Sequence, residues 1–283
     1  MSFVAVSVVI PVGRVDTTLE RQLHAVAVQE LNEPFEVILS LNTPEAGAAE
    51  ALNTIVENLI DDRFRVVDST ALRGAAHARN AGIGAASGQR VAFCDADDLV
   101  HVGWLAELMR ELEKYDAVSG RVIDVFPEER MAGWRPPATS GSLPNFMGVP
   151  YVLTGNLAVK RDAFEAAGGF DESLTRCEDI ALGWSLLRAG YTIGYAQHAV
   201  IDYHHRAGRW SMLRQHYFYG LGMSEVLARY GLPYGNEWAP ARGLRALRPN
   251  GQQVERHTVM GTLRRCAVGT GRVIGHLRRK AVP

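Results

Sequence analysis

Arg90-Val91-Ala92-Phe93-Cys94-Asp95-Ala96-Asp97-Asp98 is the stretch whose reading decides the fold. A short, continuous apolar run reads as a strand buried on both faces. Carboxylates that follow such a strand must sit where the sheet opens, because an unpaired buried charge is costly. Two carboxylates two residues apart can share one hard cation, magnesium or manganese, and bridge it to phosphate oxygens. Taken by itself, the same turn reads as a solvated acidic turn with Asp98 capping the next helix.

Working outward, similar apolar runs occupy residues 3–10, ended by Pro11, then Phe35–Leu41 and Phe64–Val67. Between them lie helical spacings. Leu19, Leu23 and Val26 mark a helix over 16–29, with Asp16 or Thr17 as its N-cap. Ala48, Leu52, Ile55, Val56 and Leu59 mark another over 45–59, residues 74–86 are Ala-rich, and 101–114 are amphipathic. Four strands alternating with helices predict a parallel sheet built from right-handed crossovers. Ligands of such sheets bind beyond the carboxyl ends of the strands. Pro11–Arg14, Leu41–Thr43, Asp68–Thr70 and Asp95–Asp98 then share one rim. Downstream we expect a strand at Ala117–Val125 and a long loop over 126–149, with its four prolines. A strand at Val152–Val159, a helix at Glu178–Ala189, a strand over 198–205 and a helix over 211–230 follow.

The chain has 283 residues, 47% hydrophobic and 22% charged, an ordinary globular balance that excludes disorder for the bulk. Three distant cysteines, Cys94, Cys177 and Cys266, form no disulfide framework and suit a reducing cytoplasm. No Cys/His spacing suggests structural zinc. The N-terminal run lacks a basic region and meets Pro11 too early for a signal peptide. No stretch of 18 apolar residues would span a membrane. The expectation is a cytoplasmic protein.

Two further clusters carry chemistry. Thr175-Arg-Cys-Glu178-Asp179 precedes a helix, where acids interact well with free amides and the macrodipole, and where one carboxylate can serve as a general base in a cleft. Tyr203-His204-His205-Arg206 lies on a strand, so at most one of the two histidines points into a site.

Order and spacing decide between these readings. Val6-Ser-Val-Val-Ile-Pro11 is followed by Arg73-Gly74, Ala78-Arg79-Asn80-Ala81-Gly82 and Ala86-Ser87-Gly88. Then come the Asp95/Asp97 run, Thr154-Gly155-Asn156, Gly168-Gly169-Phe170-Asp171-Glu172, Glu178-Asp179, Ala189-Gly190-Tyr191 and His204-His205. Over roughly residues 3–230 the set strongly resembles the nucleotide-sugar-dependent glycosyltransferases of family 2. The resemblance implies an α/β chain of the GT-A fold, with a Rossmann-like, mostly parallel central sheet flanked by helices and a C-terminal helical extension. It implies a glycosyltransferase domain at 1–205 (nucleotide-binding half 1–98, acceptor half 99–205), a helical extension at 206–240 and a basic tail at 241–283.

It also implies a metal-dependent, inverting transfer of a hexosyl group, with Mn2+ or Mg2+ as cofactor. The donor would be a UDP- or dTDP-sugar and the acceptor a hydroxyl of a glycan, a polysaccharide or a lipid-linked molecule. Pro11 and Val12 match the segment against the nucleotide base, and Arg73 and Arg79 the nucleotide site. Asp97 matches the direct metal ligand and Asp95 the carboxylate nearer the ribose. Gly155 and Asn156 match the loop under the donor sugar. Asp179, with Glu178 beside it, matches the catalytic base. His204, ahead of His205, matches a histidine that completes the metal shell. The family commonly ends its second strand in an Asp that contacts uracil, and this chain has Asn42 there. Asn42 can accept the base N–H through its side-chain oxygen, or favour a different base, with Asp68 compensating. Processive members carry Q-x-x-R-W. Here Arg206-Ala-Gly-Arg209-Trp210 lacks the Gln, which predicts single additions. A non-catalytic nucleotide-sugar-binding subunit remains an alternative. A nucleotidyltransferase should have a Gly-rich phosphate loop after the first strand, and Pro11-Val-Gly-Arg14 is not one.

The tail is set apart by charge. Residues 241–283 hold ten Arg and Lys against Glu255 alone, a net +9, which leaves −10 for the rest of a chain whose total is −1. Val259, Leu263, Cys266, Val273 and Leu277 lie along one helical face, and Arg265, Arg272 and Arg279 recur every seven residues on another. A basic amphipathic helix suits an anionic membrane surface, here the inner membrane face. The alternative is a tail packed on its own domain or on a partner. Gly269, Gly271 and Gly275 each weaken the helix by about 1 kcal/mol relative to Ala. The acidic body excludes nucleic acid as a partner.

Overall fold

The computed structural model describes residues 4–134, 138–139, 141–174, 176–205, 207–231 and 259–280. The stretch 232–258, with Arg242, Arg245, Arg248 and Arg256 of the basic tail, lies outside the described residues, as do Thr175, Arg206 and 281–283.

The first half alternates strand and helix as expected. It contains β1 (Val6–Val12), α1 (Thr17–Ala27), β2 (Phe35–Leu41), α2 (Ala48–Leu59), β3 (Phe64–Asp68), α3 (Ala75–Ala85) and β4 (Arg90–Cys94). A two-residue strand β5 (Leu99–Val100) and α4 (Trp104–Leu112) lead to β6 (Ala117–Val125). Asp16 caps α1 by accepting from the backbone N–H of Thr18 and Leu19, while α4 starts after Gly103 rather than at Asp98.

The remainder departs from expectation in ways that shape the site. The 126–149 region carries a 3-10 turn (Glu129–Trp134) and the start of a hairpin, β7 (Asn145–Phe146) and β8 (Val149–Pro150). The next strand is β9 (Asn156–Lys160), later than Val152–Val159 suggested, followed by α5 (Arg161–Ala166), which periodicity did not predict. Then come α6 (Glu178–Arg188), β10 (Ile193–His204), α7 (Arg209–Tyr230) and α8 (Val259–Lys280).

Eight strands form one sheet in the order β3-β2-β1-β4-β9-β6-β10-β5. Neighbours from β3 to β4 are parallel, β9 runs antiparallel between β4 and β6, and β6 pairs in parallel with β10. The sheet is therefore mostly parallel, with one reversed strand at its centre. Alternate residues of β1 feed opposite faces. Val6, Val8, Ile10 and Val12 pack with Leu19, Leu23, Trp104 and Leu108 on one side. Val9 packs with Ile83, Leu182 and Leu186 on the other. Helices on both faces bury the continuous apolar strands, as two-layer burial requires.

Helix α8 lies against α7 along a seam of small residues. A Cβ on Gly220 would sit 2.1 Å from the Val268 carbonyl oxygen, one on Gly271 2.1 Å from that of Tyr217, and one on Gly275 2.0 Å from Ser224 Oγ. These contacts advance together, so the two helices run parallel. Helix α8 of the tail thus packs on its own chain. Gly271 and Gly275, which weaken an isolated helix, are what permit the close approach.

Candidate active site

Strand register builds the site. The parallel pairing of Val12 with Leu41, and of Leu41 with Asp68, aligns the carboxyl ends of the first three strands. β4 ends beside them, and its antiparallel partner β9 pairs Cys94 with Asn156. That register sets Gly155 next to Asp95. A Cβ at position 155 would lie 2.8 Å from Asp95 Oδ2 and 3.4 Å from Asp98 Oδ2, so glycine is what leaves room for both carboxylates. Buried Gln22 of α1 clamps the acidic turn at both ends. Its Nε2 donates to the Asp95 carbonyl at 3.0 Å and its Oε1 accepts from Val100 N–H at 3.0 Å.

Arg79 links the two acidic motifs. Its Nη2 donates to Asp95 Oδ1 at 2.6 Å and its Nη1 to Glu178 Oε1 at 3.0 Å, with the guanidinium 5.6 Å above the Phe170 ring. Burial opposes its charge, but Asp95 and Glu178 outweigh that and raise its pKa. α3, which carries Arg79, is fixed by Asn80, whose amide donates to the Phe170 carbonyl and accepts from Phe170 N–H. Part of the shared motif set is therefore scaffold for Arg79.

The acids differ sharply in environment. Asp98 is buried and pushed up to about 9, by burial first and then by Asp95 and Asp97. Its Oδ1 accepts from His204 N–H at 3.4 Å, and its Oδ2 has no hydrogen-bond partner among the described residues. Asp179 is pushed up to about 7, by burial and then by Glu178. Cys177, in the left-handed region at φ 63°, turns the chain into α6, and so both acids enter at the helix start.

These groups line one cavity of about 480 Å³. Arg79, Asp95, Asp98, Glu178 and Asp179 face it with Tyr151 and Gly155. The lining also includes residues that sequence reasoning missed: Arg176 just ahead of α6, His216 and Tyr219 of α7, and Arg264 of α8.

Other predicted residues fall elsewhere. Val12 is buried in the core, Pro11 is half-buried at the strand end, and Arg73 and Asp68 are exposed. Asp68 caps its own turn by accepting from Thr70. Asn42 is spent internally: its amide donates to the carbonyls of Ser69 and Leu72 and its oxygen accepts from Gly74 N–H, which shapes the 69–74 loop. Asn156 is fully buried, accepting from Trp104 Nε1 at 2.8 Å and donating to the carbonyls of Arg121 and Ala199 at 3.0 Å. It is a strut under the site, with no surface toward a sugar. Asp97 is exposed at the rim. Strand alternation puts Ile201, Tyr203 and His205 on the cavity and His204 on the opposite face, the reverse of the preferred assignment. His205 is held by Asp124 at 2.6 Å and stacks on Phe126.

A hard divalent cation suits the donor set. The carboxylates of Asp95, Asp97 and Asp98 are all oxygen ligands, Asp98 Oδ2 is buried without a partner, and a cation beside it would favour its ionised form. Among the described residues no three His, Cys, Asp or Glu side chains already converge on one point.

The glycosyl transferase family 2 model matches residues 7–168, more than half of the chain, and that of glycosyl transferase family group 2 matches 91–267. The chain belongs to glycosyltransferase family 2. This family 2 chain is 28% identical over 170 residues to the pre-mycofactocin glycosyltransferase of Mycobacterium tuberculosis, covering 56% of this chain and 36% of that protein. It thus spans about a third of the length of that relative. It is 27% identical over 226 residues to the glycosyltransferase AglE of Haloferax volcanii, covering 78% of this chain and 73% of the other. Among solved structures, mannosyltransferase PcManGT from Pyrobaculum calidifontis, in complex with GDP-Man and Mn2+, superposes with a TM-score of 0.65 at 19% identity, over 98% of this chain and 75% of that one. S. aureus TarS 1–349 in complex with UDP-GlcNAc gives 0.58 at 16% identity, over 98% and 92%. At such identities the likeness is one of fold, and the fold is GT-A.

Proposed function

We propose that this chain is a metal-dependent, inverting glycosyltransferase, moving a hexosyl group from a UDP- or dTDP-sugar to a hydroxyl acceptor in glycan, polysaccharide or glycolipid synthesis. The observation that carries this reading is a single cavity in which Asp179, pushed up to about 7, faces Asp95 and Asp98, with Arg79 bridging the two motifs. PcManGT holds GDP-Man and Mn2+ on the same fold, and TarS holds UDP-GlcNAc, which supports a nucleotide sugar as donor.

In this reading Pro11 and Arg73 frame the nucleotide base, Val12 supports Pro11 from the core, and Asn42 and Asp68 act through the loop and the turn they shape. Asp95, Asp97 and Asp98 would hold Mn2+ or Mg2+, with His204 reaching Asp98 only through its backbone N–H. Such an ion neutralises the charge that grows on a departing diphosphate. Asp179 takes the proton of the acceptor hydroxyl as its oxygen bonds to the anomeric carbon. The bond from that carbon to the phosphate oxygen breaks, and the nucleoside diphosphate leaves from the opposite face. A base with a pKa near the working pH is well matched to this task. Glu178, paired with Arg79, keeps negative charge beside Asp179 and holds α6 against the donor side.

We place the domain boundary after residue 205, with α7 and α8 as cover. The face of α8 away from α7 exposes Val259, Leu263, Cys266, Val273 and Leu277, and that stripe with its flanking arginines suits an anionic membrane beside a lipid-linked acceptor. No helix among the described residues is long and apolar enough to cross a membrane.

A thermal-shift screen of nucleoside diphosphates and nucleotide sugars, with and without manganese, tests the donor assignment. Ligand at about a hundred times its Kd should add roughly 2.7 kcal/mol, seen as a rise of several degrees for the matching nucleotide with metal. No shift with any nucleotide would reject the reading.

A further inference from the structure

We propose that Arg264 of α8, together with Arg176, forms a phosphate-binding wall of the cavity that the acids also line. The inference rests on the transferase reading for the identity of the substrate, but the anion chemistry stands on the residues themselves.

Position is the first ground. Gly261, Arg264, Val268, Gly271 and Gly275 recur at spacings of three and four, along the stripe of α8 that faces α7. Gly261, Gly271 and Gly275 are buried. Arg264 is the charged member of an otherwise small and apolar stripe, and it lines the cavity rather than pointing outward with Arg278.

Fixation is the second. Arg176 is set by a close backbone contact, since a Cβ on Gly222 would lie 2.8 Å from its Cβ and 2.9 Å from its carbonyl oxygen. α8 is pinned at its far part as well, where Arg272 lies 5.4 Å over the Phe146 ring and contacts Met147 Sδ. Both cations are thus delivered by elements with little freedom to withdraw.

Charge is the third. The same cavity is lined by Asp95, Asp98, Asp124, Glu178 and Asp179, and by Arg79, which is bonded to Asp95 and Glu178. An anionic substrate entering there meets five acids. Arg176 and Arg264 add positive charge to that lining, and a guanidinium's planar donors match phosphate oxygens in pairs. The phosphate has two sources: the diphosphate of the donor, or a phosphate carried by the acceptor.

The test is titration calorimetry on the full chain with inorganic pyrophosphate, uridine diphosphate and uridine, each with manganese. Arg264→Gln and Arg176→Gln are compared with wild type and with Arg278→Gln. Loss of a charge-assisted hydrogen bond should weaken pyrophosphate binding about tenfold or more in Arg264→Gln, and leave Arg278→Gln unchanged. A parallel loss for uridine diphosphate assigns the wall to the donor. Intact uridine diphosphate affinity with weakened pyrophosphate assigns it to the acceptor. Unchanged pyrophosphate affinity in a folded Arg264→Gln protein, or no pyrophosphate binding by wild type, overturns the proposal. Should Arg264→Gln fail to fold, Arg176→Gln, altered at an exposed position, decides on the same criterion. Pyrophosphate binding through Arg264 by a protein that binds no nucleotide would leave the wall standing and remove the transferase reading.

Discussion

Asp179 carries consequences for stability as well as for turnover. Its usual value of 3.8 is raised to about 7 by burial and by Glu178, so the folded protein favours the protonated form. The stability this confers is complete below about pH 4 and is lost as pH rises through about 7. Asp179→Asn removes the buried charge and keeps an oxygen where Oδ1 accepts from Ile180 N–H. Its melting temperature should exceed that of wild type at about pH 8, by an amount worth a few kcal/mol, and match it at about pH 3.5. Calorimetric melts at the two pH values measure this, and equal differences would place the carboxylate in a wetter setting. Asp97→Ala tests the rim. The residue is exposed, so the fold should survive while manganese-dependent uridine diphosphate binding disappears; unchanged calorimetric affinity would end the metal role. Gly155→Ala should also fold normally, because the added methyl meets only the carboxylates of Asp95 and Asp98, yet nucleotide affinity should fall as the pairing of Asp95 with Arg79 is disturbed. Asp95, Asp97 and Asp179 were legible because strand-end and helix-start acids are local patterns. Gln22, the pairing of Arg79 with Glu178, and the isolation of Asp98 were not, since they depend on partners 73 to 106 residues away.

Among the elements, the α7–α8 seam sets local propensity against packing. A methyl added to Gly269 would meet nothing within 4 Å, whereas one added to Gly271 would lie 2.1 Å from the Tyr217 carbonyl oxygen. Gly269→Ala should stabilise by up to about 1 kcal/mol through helix propensity. Gly271→Ala should destabilise by about 1–3 kcal/mol, because backbone cannot yield as a side chain does. Denaturant melts of the pair separate the two effects, and the same sign for both would mean that the helices do not interlock. The bounds of β2, β4 and β6 could be read directly from apolar runs. β9 could not, because burial on both faces looks the same in a parallel and a reversed strand, and only its partners fix its direction. The apolar stripe of α8 was legible as a pattern, but the contact with α7 is made by its glycines, while Leu277 on the stripe is 58% exposed.

Across the whole molecule, an acidic body of −10 carries a basic C-terminal segment of +9. Each basic residue near an anionic surface contributes about 1 kcal/mol, within a Debye length of about 8 Å at physiological salt. Co-sedimentation with anionic vesicles should therefore weaken with added salt. It should also fall in Val273→Asp/Leu277→Asp, which changes only the exposed stripe; equal, salt-independent partitioning of both proteins would show a solvated helix instead. The two acidic motifs nonetheless meet in one cavity, and the most direct measurement is made there. Nucleoside diphosphate release from UDP- and dTDP-sugars, with manganese, is followed for wild type and Asp179→Asn, alongside donor affinity for each. The expected result is unchanged donor affinity with turnover lowered about 10²–10⁴-fold in the variant. A variant that binds donor normally and releases diphosphate at the wild-type rate would contradict the assignment of Asp179 as the base.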